Sequence, residues 1–287
     1  MHSLREISLA VFGPGLLGGS LLFDARALGA KHTRVWARRE ESLTEVRRLG
    51  LADFMSTDAR AVAAGADILV LCVPVGGMKS LAEAIVQADL PPEAIVTDVG
   101  SVKAAVLAGA GDVCRKAGVC FVGSHPMAGA ETTGLAAARA GLFQNASCIL
   151  TPEADTPPAA LAELTSFWQA LGCRTASMDA ARHDSVVARI SHLPHLAAVA
   201  TTLAAFQPDP AMAQFAAGGL RDTTRVASGP PDMWREILLE NRTAILPSLA
   251  DLHQAIGELL EILQNADDGK LLARLEEAKT LRDLRYP

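Results

Sequence analysis

Ile7-Ser8-Leu9-Ala10-Val11-Phe12, followed by Gly13-Pro14-Gly15-Leu16-Leu17-Gly18-Gly19-Ser20, decides the fold of this chain. The first six residues read as a buried strand, and the run after the glycines, through Leu28, reads as a helix. Strand, tight turn and helix in that order give the Gly-x-Gly-x-x-Gly spacing its meaning. Gly13 permits the turn, Gly15 lets the backbone approach a pyrophosphate, and Gly18 lets helix pack on strand. The helix start, with Leu16 and Leu17, offers free N–H groups and a partial positive charge to phosphates. Gly13, Gly15, Leu16, Leu17 and Gly18 are therefore expected to bind a dinucleotide.

Outward from that turn, strands and helices alternate. Arg34–Ala37 reads as the second strand, whose end would carry an acid that grips the ribose hydroxyls of NAD. Arg38-Arg39-Glu40-Glu41 stands there instead. Two guanidiniums suit a 2′-phosphate by charge and by bidentate geometry, which favours NADP; Glu40 or Glu41 on the ribose is the alternative. Ala66–Val73 is a near-continuous apolar run, as in a parallel strand covered on both faces. Val73 and Pro74 end it where the nicotinamide half of a cofactor would lie. Ala94–Val99 is the next strand, leading to Ser101, a polar group at a strand end and a candidate N-cap of the following helix.

Gly118–Val122 then leads to Gly123-Ser124-His125-Pro126-Met127-Ala128-Gly129. His125 is expected on a constrained loop just past that strand, in the crevice where open α/β sheets gather their reacting groups. An imidazole there is suited to take a proton near neutral pH; capping or packing is the plainer alternative. Ser147–Leu150 and Arg174–Met178 are further strands, separated by a helix over Pro157–Leu171. The alternation predicts a doubly wound α/β sheet over residues 1–178.

From residue 179 to 287 strand signals stop. Ala180–Phe206 carries a helical apolar stripe, with Asp184, Ala188, Ser191 and His195 on another face and a kink expected at Pro194. His192 and His195 have a spacing seen in metal sites, yet no carboxylate or cysteine pattern completes one, so no metal is expected. Gly218–Arg225 reads as a polar insertion in which Arg221 and Arg225 form either a carboxylate clamp or a surface cluster with Asp222. Ile245, Leu249, Leu252, Ile256, Leu259 and Leu263 step by four and three, a seam interrupted by Pro247 that suits packing within the domain or across a two-fold axis. Lys270–Leu284 reads as a charged terminal helix.

Composition narrows the classes. With 287 residues the chain has room for two domains, and half of it is apolar. A net charge of −6 without basic clusters argues against nucleic acid. No apolar run reaches membrane-spanning length and no secretory pattern is seen. Five cysteines without a Cys-x-x-Cys pair read as buried thiols of a reducing, cytoplasmic protein.

Six ordered segments carry a resemblance: GPGLLGGS, DVGSVK, GSHPMAGAE, LF with CILTP, HD with SHLPH, and RDTTR followed by MW and EN. Together they make the chain similar, over nearly its whole length, to the prephenate/arogenate dehydrogenase family of tyrosine biosynthesis. The resemblance implies a Rossmann-type domain followed by an all-helical domain that forms a homodimer, and with no room beyond these two domains a single activity is expected. It implies oxidative decarboxylation of prephenate or arogenate with hydride transfer to NAD(P). His125 then matches the catalytic histidine, and Ser101 the serine that bonds the same ring hydroxyl. Arg225 matches the arginine on a substrate carboxylate, and His195 a second substrate-contacting histidine. Glu131 and Asp222 match the pocket rim, Trp234 lies near the pocket, and His192 and Arg221 are further substrate-side candidates. Rossmann-plus-helix β-hydroxyacid dehydrogenases and imine reductases are the alternative, disfavoured because the polar candidates here are histidines and arginine rather than lysine.

Overall fold

The computed structural model describes residues 4–129 and 132–284. Eight strands form one sheet in the order β3-β2-β1-β4-β5-β6-β7-β8. β1 (Ser8–Phe12), β4 (Ile68–Leu71) and β5 (Ile95–Asp98) are buried along their whole length. Their side chains alternate between two apolar clusters, Leu9, Val11 and Val70 on one face and Ala10, Phe12 and Leu71 on the other. That is why these segments read as unbroken apolar runs: each residue has a covered face to fill. α1 (Leu16–Ala27) and α7 (Pro158–Ala170) supply Leu21, Leu22 and Trp168 to the first face; α4 (Val75–Ile85) supplies Met78 and Ile85 to the second.

β2 (His32–Trp36) pairs with β1, and the three-residue β3 (Phe54–Ser56) closes that edge. β3 had no counterpart in the sequence reading, because three half-exposed edge residues carry no period. Strand order reverses at β1 and β4, so the glycine turn opens at the switch point of the sheet.

The strand ahead of His125 is longer than its apolar run. β6 (Cys120–Pro126) pairs in parallel with β5 only as far as Thr97↔Val122. It then continues alongside β7 (Ser147–Thr151) in antiparallel register, His125 facing Ile149 and Pro126 facing Cys148. His125 is thus a strand residue, not a loop residue, although it does lie beyond the end of β5. The antiparallel pairing extends the strand: Met127 N–H still bonds the Ser147 carbonyl at 2.7 Å. β8 (Arg174–Ser177) pairs in parallel with β7.

Every described element after β8 is helical. α8 (Ala180–Val187) passes through a π-helical turn, Ala188–His192, into α9 (Leu193–Phe206). The irregularity expected at Pro194 is thus a wide turn just ahead of it, where Leu193 N–H reaches back five residues to the Ala188 carbonyl, in a helix that otherwise continues through the proline. Gly218–Arg225 is not a loop: α10 (Gly218–Thr224) is followed by a 3₁₀ turn, Arg225–Ser228. Thr223 and Thr224 return their hydroxyls to the carbonyls of Gly219 and Leu220, which lets polar residues occupy a helix. α11 (Pro231–Glu240) follows.

Contacts divide the chain into a unit over Met1–Asn241 and a second over Arg242–Pro287. In the second, α12 (Arg242–Gln264) runs unbroken through Pro247, contrary to the interruption read from the sequence. Pro247 sits in the second turn, so only one hydrogen bond is forgone. α13 (Asp268–Asp283) follows, tied to α12 by Arg274 and Glu258 at 2.7 Å. The seam residues Leu249, Ile256, Leu259 and Leu263 are exposed on α12.

Candidate active site

The glycine turn has the shape its spacing required. Gly13 has φ +110°, and a Cβ there would lie 2.6 Å from the Cys72 carbonyl oxygen. A Cβ on Gly18 would lie 2.1 Å from the Gly13 oxygen. Only glycine fits either position. Gly15 is the N-cap of α1, no side chain caps that helix, and a Cβ on Gly15 would meet nothing within 4 Å. The uncapped amides and open space above Gly15 make a cradle that suits a pyrophosphate. Val73 lies against Gly13, and Pro74 caps α4. Arg38 and Arg39 are exposed after β2, while Glu40 faces Arg47 at 3.4 Å.

On the same carboxyl edge of the sheet, His125 is buried on β6. Its Nδ1 lies 2.9 Å from Nε2 of His183, whose Nδ1 lies 2.8 Å from Oδ1 of Asp184. Asp184 also accepts the backbone N–H groups of Lys103 at 2.8 Å and Ala104 at 2.9 Å. Those amides open the short helix α5 (Ala104–Val106), so a carboxylate 80 residues away takes the capping role read for Ser101. Ser101 itself is half-buried in the bend after β5.

Lys103 is wholly buried and its ammonium pairs with Asp98, whose other oxygen accepts the Ser124 N–H at 3.1 Å. Ser124 bonds Thr97 at 2.6 Å and receives the Trp168 indole N–H at 3.0 Å. The strand that carries His125 is therefore fixed from beneath.

Electrostatics follow from this burial. His125 is pushed well below the ordinary histidine range, first by loss of solvent and then by the charge of Lys103 and by His183 and His192. Burial likewise lowers Lys103, against the pull of Asp98. Burial would raise Asp184, but the hydrogen bonds from His183, Ala104 and Lys103 outweigh it and hold the carboxyl low.

A second group of polar side chains comes from the helices. Asn241 donates to the Asp184 carbonyl at 2.9 Å and contacts His192 Nδ1 at 3.0 Å. Burial pushes His192 down to about 4, and its Nε2 has no partner among the described residues. His195 bonds the Val226 carbonyl through Nδ1 at 3.0 Å, and its ring stacks on Trp234 at 3.6 Å. Burial also lowers His195, partly opposed by that carbonyl.

Not every candidate joins this group. Arg221 is exposed, 3.7 Å from Asp222, and lines a shallow groove of about 290 Å³ with Phe206 and Leu220. Arg225 is exposed at the start of its 3₁₀ turn, one residue before the Val226 carbonyl that holds His195. Glu131 lies outside the described residues. His183, Asp184, Lys103 and Asn241 were not among the candidates. His183 and Asn241 were visible only within HD and EN of the resemblance and Lys103 within DVGSVK, while Asp184 read as part of a polar helix face with Ser191 and His195. The described residues hold no cluster of three metal-ligating side chains, and all five cysteines are free.

Family models of the prephenate dehydrogenase nucleotide-binding domain and dimerization domain match residues 25–177 and 179–277. The chain belongs to the prephenate dehydrogenase family. It is 35% identical to the cyclohexadienyl dehydrogenase of Zymomonas mobilis, over 96% of this chain and 94% of that one. The crystal structure of a Synechocystis arogenate dehydrogenase is 32% identical, with a TM-score of 0.82 over 97% of this chain and all of that one. The Aquifex aeolicus prephenate dehydrogenase, solved with hydroxyphenyl propionate and NAD+, is 29% identical, with a TM-score of 0.89 over 98% and 99%. The chain is an oxidoreductase with a nicotinamide-nucleotide domain. Among the described residues no helix is long and apolar enough to cross a membrane.

Proposed function

We propose that this chain oxidatively decarboxylates prephenate or arogenate, with NADP as its preferred cofactor. The observation that carries the reading is a buried imidazole on β6, on the same carboxyl edge of the sheet as the glycine cradle. The nicotinamide, when bound, supplies the acceptor for a hydride from ring C4. Gly13, Gly15, Leu16, Leu17 and Gly18 would hold its pyrophosphate, Val73 and Pro74 would border the nicotinamide half, and Arg38 and Arg39 would take the 2′-phosphate. His125 accepts the proton of the 4-hydroxyl as CO2 leaves and the ring becomes aromatic, and Ser101 bonds the same hydroxyl.

Arg225 is assigned to a substrate carboxylate, because a guanidinium binds one bidentately. His195, stacked on Trp234, and His192, with its unused Nε2, are assigned to the remainder of the substrate. Glu131 and Asp222 are assigned to the rim. The functional boundary is set at 178/179, giving a cofactor domain and a helical substrate and dimerisation domain. The exposed seam of α12 is the surface proposed to join two copies, and a monomeric mass in solution would remove that assignment.

Steady-state assays with each substrate and each cofactor test the reading. Turnover of either substrate is expected, with the lower KM for NADP. Arg225→Ala should raise the substrate KM by roughly one to two orders of magnitude, from a charge-assisted bond of about 1.5–3 kcal/mol. No turnover of either substrate by a folded, cofactor-binding protein would overturn the function.

A further inference from the structure

The contacts around His125 determine which of its nitrogens is free. Asp184 is a carboxylate and can only accept hydrogen bonds. Its two oxygens already take the N–H groups of Lys103 and Ala104, so it does not swing away from this position. His183 Nδ1, 2.8 Å from Oδ1, must therefore carry a hydrogen. In a neutral His183 the lone pair is then on Nε2, which lies 2.9 Å from His125 Nδ1. That contact is a hydrogen bond only if His125 Nδ1 carries the hydrogen. The lone pair of neutral His125 is left on Nε2, the atom free to receive a proton.

We propose that His183, anchored by Asp184, is a positioning residue that holds His125 in its Nδ1–H tautomer and keeps Nε2 as the proton acceptor. The proposal rests on the reading of His125 as general base and goes beyond it, because it assigns the acceptor atom and the residues that select it. The more stable tautomer of a free neutral imidazole has its hydrogen on Nε2, the wrong one for this task. Without His183 the ring is free to revert. The chain also fixes orientation, since the rings meet edge to face at 62° with centroids 5.1 Å apart. After proton transfer the His125 imidazolium keeps its Nδ1–H bond to His183, and Asp184 faces the developing charge through that ring, as an aspartate does behind a triad histidine. The charged and titratable groups around His125 come from four places: Asp98 at the end of β5 with Lys103 ahead of α5, His183 and Asp184 on α8, His192 in the π turn, and the Cys148 thiol on β7. Of these, His183 is the group whose nitrogen meets His125.

Two substitutions separate positioning from packing. His183→Phe fills the same volume with a ring that accepts nothing, and His183→Gln keeps an acceptor at the height of Nε2 but packs less well. If the hydrogen bond matters, kcat falls about 10- to 100-fold in His183→Phe, part of the 10²–10⁴ that a general base contributes. His183→Gln should recover most of the loss, with KM for the cofactor unchanged in both. A packing role gives the reverse order and would overturn the proposal. The second measurement needs neither substrate nor variant turnover. Nitrogen-15 NMR of histidine-labelled wild-type protein, assigned by loss of the signals in His125→Asn, should show His125 with hydrogen on Nδ1 and a bare Nε2 near neutral pH. A hydrogen on Nε2 would overturn the tautomer assignment even if His183→Phe fails to fold. Absence of turnover with a bare Nε2 would instead count against the proposed reaction and leave the positioning intact.

Discussion

At the scale of single residues, His125 has to be neutral to accept a proton, and its surroundings keep it so. Burial comes first, then the charge of Lys103, and both lower its pKa from the ordinary value of about 6.5. The acid limb of kcat/KM should accordingly fall below pH 6.5, with activity lost as pH decreases through the shifted pKa and constant above it. An acid limb at or above 6.5 would show that the imidazole is not held in this environment during turnover. His125→Asn should lower kcat by roughly 10²–10⁴-fold and leave cofactor affinity unchanged; a raised substrate KM with normal kcat would make His125 a binding group instead. The sequence pointed to this histidine because proline and glycines surround it at a strand end. It could not point to His183 in the same way, since 58 residues separate the pair and only the folded sheet and α8 bring them together. The same holds for the capping role of Asp184, whose backbone partners, the amides of Lys103 and Ala104, come from the far side of the sequence.

At the scale of elements, what was legible had a period or a steric rule behind it. The covered strands announced themselves as apolar runs, and the glycine turn as spacing that admits no Cβ at Gly13 or Gly18. What was not legible depended on neighbours. β6 continues past its apolar run because β7 arrives antiparallel beside it, and β3 exists because β2 offers an edge. α10 forms from a segment that composition alone reads as a loop. The turn after β2 is where the proposed preference for NADP can be tested. Arg38 and Arg39 are exposed at the point where β2 hands over to α2 (Glu40–Arg48), and Glu40 is turned toward Arg47 on the next turns of that helix. Replacing both arginines with alanine should weaken NADP far more than NAD, at roughly 1.5–3 kcal/mol for each lost charge-assisted bond, or about a tenfold or larger rise in NADP KM. Equal weakening of the two cofactors, or a wild-type enzyme with a strong preference for NAD, would move the ribose contact to Glu40 or Glu41.

At the scale of the whole molecule, the site exacts a stability cost that depends on pH. His125, His192 and His195 are all buried with lowered pKa values, burial being the first cause in each. In the unfolded chain each would titrate near 6.5. Between that value and the folded pKa, the unfolded state binds protons that the native state does not. Stability is therefore fully present above about pH 6.5 and falls as the pH drops through the window. For His192, pushed down to about 4, the window spans pH 6.5 to 4 and the loss is on the order of 3 kcal/mol. His125 extends the loss in the same direction. The low carboxyls of Asp53 and Asp184 join only below their unfolded value near pH 4, while Asp24, raised by burial, acts oppositely there. Melting temperature measured calorimetrically without ligand should be level from pH 8 to about 6.5 and then decline steeply toward pH 4.5. His192→Phe removes one of the three titrations, so its melting temperature should change less between pH 7 and 4.5 than that of the wild type, whatever its value at pH 7. A wild-type melting temperature that stays level down to pH 4.5 would mean that these imidazoles take up protons in the folded protein, and the site would then not be the dry, neutral environment that a proton acceptor at His125 requires.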